Sequence, residues 1–301
     1  MIRNAVESFL GKISRMLLTD RARYLLQTAL QAERDRLIGA LADKMPRNPV
    51  LQGRKIYSQT DEDGILQEIF SRIGTESKVF VEFGCGDGRE NNTHALLLDG
   101  WRGLWVDGSP KNKDAIRTEL SCAERNPSLL LCEAFVSLTN IEPIYEAARA
   151  EFLNGDQRID LLSMDLDGND LHFLKALVKY RPRVICCEYN ALLGPDIRAS
   201  VTYNPDHRWL GEDYMGASLA SFCDLLEPEG YTLVCCNISG ANAFFVEQQY
   251  ARLFGTYDRD AIFQPPRYHF IFLEDYPRRT LGFLATKTQY KSIGSKIPAA
   301  D

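Results

Sequence analysis

The sequence predicts an α/β protein: a doubly wound, mostly parallel seven-stranded sheet with a terminal antiparallel hairpin, preceded by N-terminal amphipathic helices. Three observations predict it. From Ile56 onward short apolar runs alternate with amphipathic segments, the pattern of strands joined by helices that cover both faces of a sheet. The first run, "VFVEF", leads into "GCGDGRENN", three glycines at alternate positions and then a polar stretch. The last two runs, in "YTLVCCNISGANAFFV", are joined by a short turn containing Ser and Gly, which makes a hairpin at the sheet edge. Such a sheet is Rossmann-like.

The elements follow in order. In residues 1–54, Ile2, Val6, Phe9, Ile13 and Met16 recur at spacings of three and four, and Leu25, Leu26, Ala29, Leu30, Leu37 and Leu41 continue the stripe, so one or two amphipathic helices are expected. This region holds ten Lys/Arg and five Asp/Glu, a balance of +5, while the rest of the chain carries −11 of the overall −6. It reads as a separate module, serving homo-oligomerisation or docking of residues 1–45 on an anionic membrane surface. "MPRNPVLQG" closes it with two prolines and a glycine. Strands are predicted at Val79–Phe83, Gly103–Asp107, Leu129–Val136, Leu161–Leu166, Val184–Tyr189, Thr232–Asn237 and Ala243–Glu247. Helices are predicted between them at Asp63–Arg72, Glu90–Asp99, Pro110–Glu124, Ile141–Phe152, Asp170–Tyr180 and Ser218–Leu226. The sheet domain spans residues 55–248, and 249–301 form an extension that either closes over the site or mediates association.

Composition excludes several classes. No apolar run reaches the ~18 to 20 residues of a membrane span, and the N-terminus lacks a signal-peptide core, so a cytoplasmic location is expected, with membrane association on the cytoplasmic face if residues 1–45 dock there. The acidic balance argues against general nucleic-acid binding. Four of the eight cysteines stand as the adjacent pairs Cys186-Cys187 and Cys235-Cys236 inside apolar runs, where neighbours point to opposite faces, and read as small core residues. No C-x-x-C spacing supports zinc or a redox pair.

The glycine turn decides the ligand class. A dinucleotide fingerprint G-x-G-x-x-G starting at Gly84 needs a third glycine where the chain has Arg89. The chain instead reads E-x-G-x-G-x-G, with Glu82 ahead of Gly84, Gly86 and Gly88; an acid at the strand end repels a pyrophosphate and suits a cationic amino-acid ligand. E-x-G-x-G-x-G after a first strand resembles motif I of class I S-adenosylmethionine-dependent methyltransferases. More narrowly, "YSQTDEDG", "FVEFGCGDGRENNT", "GWRGLWVDG", "SMDLDGND" and "CEYN", in this order between Tyr57 and Val246, resemble FkbM-like methyltransferases, many of which accompany polysaccharide or secondary-metabolite synthesis. The resemblance implies S-adenosylmethionine as cofactor, held along Gln59, Glu82, Gly84, Gly86, Gly88, Asn92, Asp107, Gly108, Ser109, Phe135 and Asp165. Glu82 and the glycines would flank the methionine portion, and Asp107 would accept the ribose hydroxyls, with Ser109 left to cap the helix that starts at Pro110.

Chemistry is expected at the ends of the fourth and fifth strands, where "MDLDGND" places Asp165, Asp167 and Asp170 and "CEYN" places Glu188 and Asn190. Asp165, Glu188 and Asn190 resemble the acid and acid–amide pair of catechol-type metal-dependent O-methyltransferases, which implies Mg2+ there. The alternative has Asp167 and Asn169 forming the turn and capping the next helix, with Asp165 on cofactor or acceptor and no metal. The long segment "ALLGPDIRASVTYNPDHRWLGEDYMGAS" should cover the ligand, its Tyr203, Asn204, Asp206, His207, Trp209, Asp213 and Tyr214 suiting a carbohydrate or other small polar acceptor. His207, Asp165 and Glu188 are the candidate catalytic groups, and His94, His172 and His269 read as structural. Against family patterns, "MDLDGND" in place of N/D-P-P-[YF] favours a hydroxyl over an amino acceptor. Rival readings are a cofactor-binding assembly protein without catalysis and, opposed by Glu82 and Arg89, an NAD-dependent oxidoreductase.

Overall fold

A computed structural model of the chain describes residues 20–120, 128–272, 279–287 and 290–293. The expected helical stripe from Ile2 to Met16 lies outside the described residues, as does the expected end at Glu124 of the helix that starts at Pro110. The described strands are β1 (Val79–Phe83), β2 (Arg102–Asp107), β3 (Leu129–Glu133), β4 (Leu161–Met164), β5 (Val184–Glu188), β6 (Tyr231–Cys236), β7 (Asn242–Glu247) and β8 (Tyr290–Ile293). They form one sheet in the order β6-β7-β5-β4-β1-β2-β3-β8, in which β7 runs antiparallel to β5 and β6 and the other pairs are parallel.

The sheet therefore has eight described strands, not seven. The extra one, "YKSI", pairs with β3 from Leu129↔Tyr290 to Cys132↔Ile293. It is short and carries little apolar surface, and its place at the edge rests on backbone hydrogen bonds, which leave no pattern in a sequence. The hairpin stands as expected, with Asn237 Oδ1 accepting from the Ala241 and Asn242 amides across its turn.

Strand order turns back between β1 and β4, so the carboxyl ends of β1, β2, β4 and β5 open a crevice at the switch point. Both faces of the sheet are buried. Val79, Val81, Phe83, Cys187 and Cys236 pack on one side, while Phe80, Cys186 and Cys235 pack on the other, the alternation expected of the adjacent cysteines. The covering helices are α1 (Asp20–Lys44), α2 (Glu62–Ile73), α3 (His94–Leu98), α4 (Pro110–Glu119), α5 (Ile141–Phe152), α6 (Asp170–Leu177), α7 (Leu219–Leu226), α8 (Arg259–Ile262) and α9 (Gly282–Ala285).

Helix α1 divides its stripe. Leu30 is buried and Leu37 and Leu41 pack on the core, whereas Leu25 and Leu26 are exposed. Just past it, the Arg47 guanidinium donates to the Arg252 and Leu253 carbonyls, tying the N-terminal region to the chain beyond β7. Helix α3 is half as long as the predicted Glu90–Asp99, because Asn91, Asn92 and Thr93 turn inward to Glu82. No described helix is long and apolar enough to cross a membrane.

Candidate active site

The crevice holds a cavity of about 740 Å³, within the size range of small-molecule sites. On the β1 side its wall is Glu82, Gly84, Cys85, Gly86, Asp87, Asn91 and Asn92; β2 contributes Asp107, and Asn112 follows on α4. Asp165, Leu166 and Asp167 come from the loop after β4, Glu188 from the end of β5, and Asn242 from the start of β7. Gln59, Trp209, Met215, Tyr268 and Ile271 complete it, so both the long segment after β5 and the C-terminal extension reach the site.

Glu82 is buried and organises the loop after β1. One oxygen accepts from the Asn92 amide (2.8 Å), the other from Asn91 Nδ2 (2.8 Å) and the Thr93 hydroxyl. These donors favour the ionised form, but burial outweighs them and pushes the carboxyl up to about 7. The fold thus uses Glu82 as an internal anchor for the loop as well as a cavity wall. Gly84 (φ +89°) lies so close to β4 that a Cβ would overlap the Asp165 carbonyl oxygen, whereas Gly86 (φ +57°) faces open space. Arg89, the basic side chain of this loop, is paired with Asp87 and Glu119.

Asp107 has a different second task from the one expected. Its Oδ2 accepts from the Gly86 amide (3.0 Å), and its Oδ1 from the Ser109 amide (2.7 Å) and Asn112 Nδ2 (3.0 Å). Ser109 occupies the N-cap position of α4 without making a side-chain cap bond, so Asp107, not Ser109, ties the start of that helix. Burial, the largest influence, raises the Asp107 carboxyl above its ordinary range despite these bonds.

Past β4, Asp170 closes the turn by accepting from the Leu166 (2.8 Å) and Gly168 (2.9 Å) amides. Asn169, expected as the cap, instead exchanges hydrogen bonds with the Asn204 backbone. The turn forces Asp167 into the left-handed region (φ +57°), an uncommon conformation for a residue other than glycine. Oxygen atoms of Asp165, Asp167 and Glu188 then all lie within 4.8 Å of one another. Burial first, and repulsion from the neighbouring acids second, hold Asp165 and Glu188 well above the ordinary carboxylate range and move Asp167 up to about 6.

This trio is the set that could hold a divalent cation, its oxygen donors suiting magnesium or calcium. Asn190 is not part of it. Its Nδ2 donates to the Asp213 and Met215 carbonyls and its Oδ1 accepts from Leu192, so the amide is consumed in holding the chain after β5. His207 likewise does not line the cavity. It packs over Gly168, where a Cβ would overlap its ring, and its buried Nε2 lacks a partner among the described residues. Gly88, Gly108, Ser109 and Phe135 also stand off the wall; Gly88 backs onto Trp105, and Phe135 stacks with Arg208. Tyr203 and Tyr214 brace loops by accepting from the Leu138 and Thr202 amides. His94 stacks on Tyr57 with Nδ1 against the Gly88 carbonyl, His172 meets the Val201 carbonyl, and His269 meets Glu33.

Sequence reasoning missed Asn91, Asn112, Asn242, Tyr268 and Ile271. Only Asn112, five residues beyond Asp107 on the first turn of its helix, had a readable signal. Among the described lining residues there are seven carboxylates, Glu82, Asp87, Glu90, Asp107, Asp165, Asp167 and Glu188, and no lysine, arginine or histidine. Among the described residues, Asn91 Oδ1, Glu188 Oε2 and Asn242 Oδ1 of this lining are buried without a donor. The site can take a cationic, donor-rich ligand.

No family model matches the chain, and no curated protein matches it. The chain is weakly similar to several solved structures. A Staphylococcus aureus protein assigned as a caffeoyl-CoA O-methyltransferase is 13% identical, with 81% of this chain and 99% of that one covered at a TM-score of 0.43. The glycopeptide N-methyltransferase MtfA, in complex with sinefungin, is 14% identical over 64% of this chain and 94% of its own, at a TM-score of 0.38. The fibrillarin pre-rRNA processing protein of Methanococcus jannaschii is 13% identical over 59% and 69%, at a TM-score of 0.37. Values this low leave the functional reading to the geometry of the cavity.

Proposed function

We propose that this chain is an S-adenosylmethionine-dependent methyltransferase that methylates a hydroxyl group of a carbohydrate or related polar metabolite. The observation that carries the reading is the cavity at the sheet's switch point, lined by seven carboxylates and no basic side chain among the described residues. That wall repels the pyrophosphate of a dinucleotide and favours a ligand bearing a sulfonium and an ammonium. When bound, the cofactor supplies an electrophilic methyl carbon. Asn91, with its unpartnered Oδ1, offers an acceptor to the ammonium, and Gly86 leaves room for close approach. Asp107 and Asn112 stand at the end of β2 to meet the ribose.

At the other end, Asp165 and Glu188 face the place where the acceptor oxygen would attack. Glu188 Oε2, without a donor among the described residues, takes the hydroxyl proton in this reading as the new C–O bond forms and the methyl–sulfur bond breaks. Glu188 rather than His207 is thus the base in this reading, and Asp165 positions the reacting groups.

Calorimetry checks the cofactor. S-adenosylmethionine and S-adenosylhomocysteine are expected to bind and NAD to bind worse than either; NAD preferred to both would overturn the reading. Asp107→Ala should weaken S-adenosylhomocysteine by the loss of charge-assisted hydrogen bonds, about 1.5 to 3 kcal/mol, and unchanged affinity would remove Asp107 from the ribose site.

A further inference from the structure

The acceptor half of the cavity has its own chemistry. Asn242 opens β7 directly opposite Glu188, the last residue of β5. Three strand spacings separate β7 from β1, roughly 14 Å, so this pair stands well away from the glycine loop. Asn242 is almost fully buried, and the orientation of its amide is dictated from behind. Its Nδ2 donates to Glu62 Oε1 (3.0 Å), and the buried Glu62 carboxylate also accepts from Asn237 Nδ2 (2.7 Å), the Thr60 amide (2.8 Å) and the Thr60 hydroxyl (2.9 Å). Flipping the amide would set Oδ1 against that carboxylate oxygen, so the nitrogen must face Glu62 and the oxygen is left without a partner among the described residues. Asn242 Oδ1 and Glu188 Oε2 are both buried, and among the described residues neither has a donor.

We propose that Asn242 and Glu188 bind the methyl acceptor by receiving hydrogen bonds from it, and that the acceptor is therefore a neutral or amino-bearing polyhydroxyl compound, while uronates and phosphorylated sugars are excluded. The inference rests on the methyltransferase reading and deepens it. Buried acceptors without partners are costly, and a ligand rich in O–H or N–H groups relieves both at once. The cavity lining also includes Trp209 and Tyr268, aromatic surfaces suited to the C–H side of a sugar ring, and among the described lining residues none carries a positive charge to pair with an anion. Glu62 acts through Asn242 and is a positioning residue.

The test uses the full chain saturated with S-adenosylhomocysteine and three probes of matched shape, methyl glucoside, glucosamine and glucuronate, followed by saturation-transfer NMR. Methyl glucoside or glucosamine is expected to bind at least tenfold more tightly than glucuronate, and which of the two binds better tells a hydroxyl donor set from an ammonium. Asn242→Ala should weaken the bound probe tenfold or more with S-adenosylhomocysteine affinity unchanged. Should that variant not fold, Glu188→Gln, which keeps the side-chain shape and adds donors, should narrow the preference over glucuronate. Glucuronate binding as well as the others, binding of none of the three, or an unaltered preference in the variants would overturn the proposal. Failure of S-adenosylhomocysteine to bind strikes the cofactor reading instead, and the probes alone then still report on the Asn242 pocket.

Discussion

Gly84 and Gly86 sit two residues apart in one loop and should fail in different ways. At Gly84 a methyl group meets the Asp165 backbone, which cannot retreat because the Asp165 amide is held by the Phe83 carbonyl at 3.0 Å. Gly84→Ala is therefore expected to cost ~3 kcal/mol or more, the left-handed backbone adding to the overlap. Gly86→Ala meets nothing in the protein, so only the ~1 to 2 kcal/mol backbone cost remains, but the methyl group enters the ligand's space. Thermal melts with calorimetry separate the two: Gly84→Ala should melt far lower, while Gly86→Ala should melt near the parent and bind S-adenosylhomocysteine at least tenfold more weakly. Equal melting of both would contradict the geometry. The sequence shows that these positions are glycines of one motif, but not which touches protein and which touches ligand, because that depends on β4 lying beside β1. The second role of Glu82 was hidden for the same reason: its acidity is visible in the string, whereas the three donors that fold back on it come from residues nine to eleven positions later.

At the scale of elements, the central strands and the hairpin at one edge were legible, and the strand at the other edge, β8, was not. The five residues of β1 are all buried and read as a continuous apolar run around Glu82, and β1 is found within the predicted bounds. Predicted β3 and β4 are longer than observed: β3 ends at Glu133, and past Met164 the chain leaves the ladder so that Asp165 and Leu166 line the site. The same departures decide the chemistry, for the loops after β4 and β5 bring Asp165, Asp167 and Glu188 together while Asn190 turns back to the backbone. Either a cation or shared protons must relieve that crowding. Burial and mutual repulsion raise all three acids, which favours shared protons over bare charge, and methyl transfer to an identified acceptor is expected to survive a chelator. Activity lost with chelator and restored by magnesium would instead place a metal on the three carboxylates.

Across the whole molecule, acids that are hard to ionise outnumber groups that push the other way. Asp61 and Glu82 are moved up to about 7 and Asp167 to about 6, chiefly by burial, and Asp63, Asp107, Asp165, Asp170 and Glu188 are raised as well. A carboxyl whose folded value exceeds its unfolded one gives stability that is complete below the unfolded value, near 4, and lost as pH climbs through the folded value. For Glu82 alone the difference is on the order of 3 kcal/mol. His94 opposes this, because burial lowers it to about 4 and its contribution is lost as pH falls from about 6.5 toward 4. Glu142, lowered by its bond to Lys179, acts in the same direction as His94, and two such groups against eight raised acids leave the acids dominant between pH 5 and 7. The ligand-free protein should therefore melt at progressively lower temperature from pH 5 to pH 8, and Asp167→Asn, which removes one raised carboxyl without a hydrogen-bond donor among the described residues, should flatten the slope around pH 6. A cationic ligand reverses the balance, since it binds best when the wall is ionised. S-adenosylmethionine should raise the melting temperature more at pH 8 than at pH 5, and a ligand-free melting temperature that climbed steadily over the same range would show that the cavity carboxylates are ionised without help.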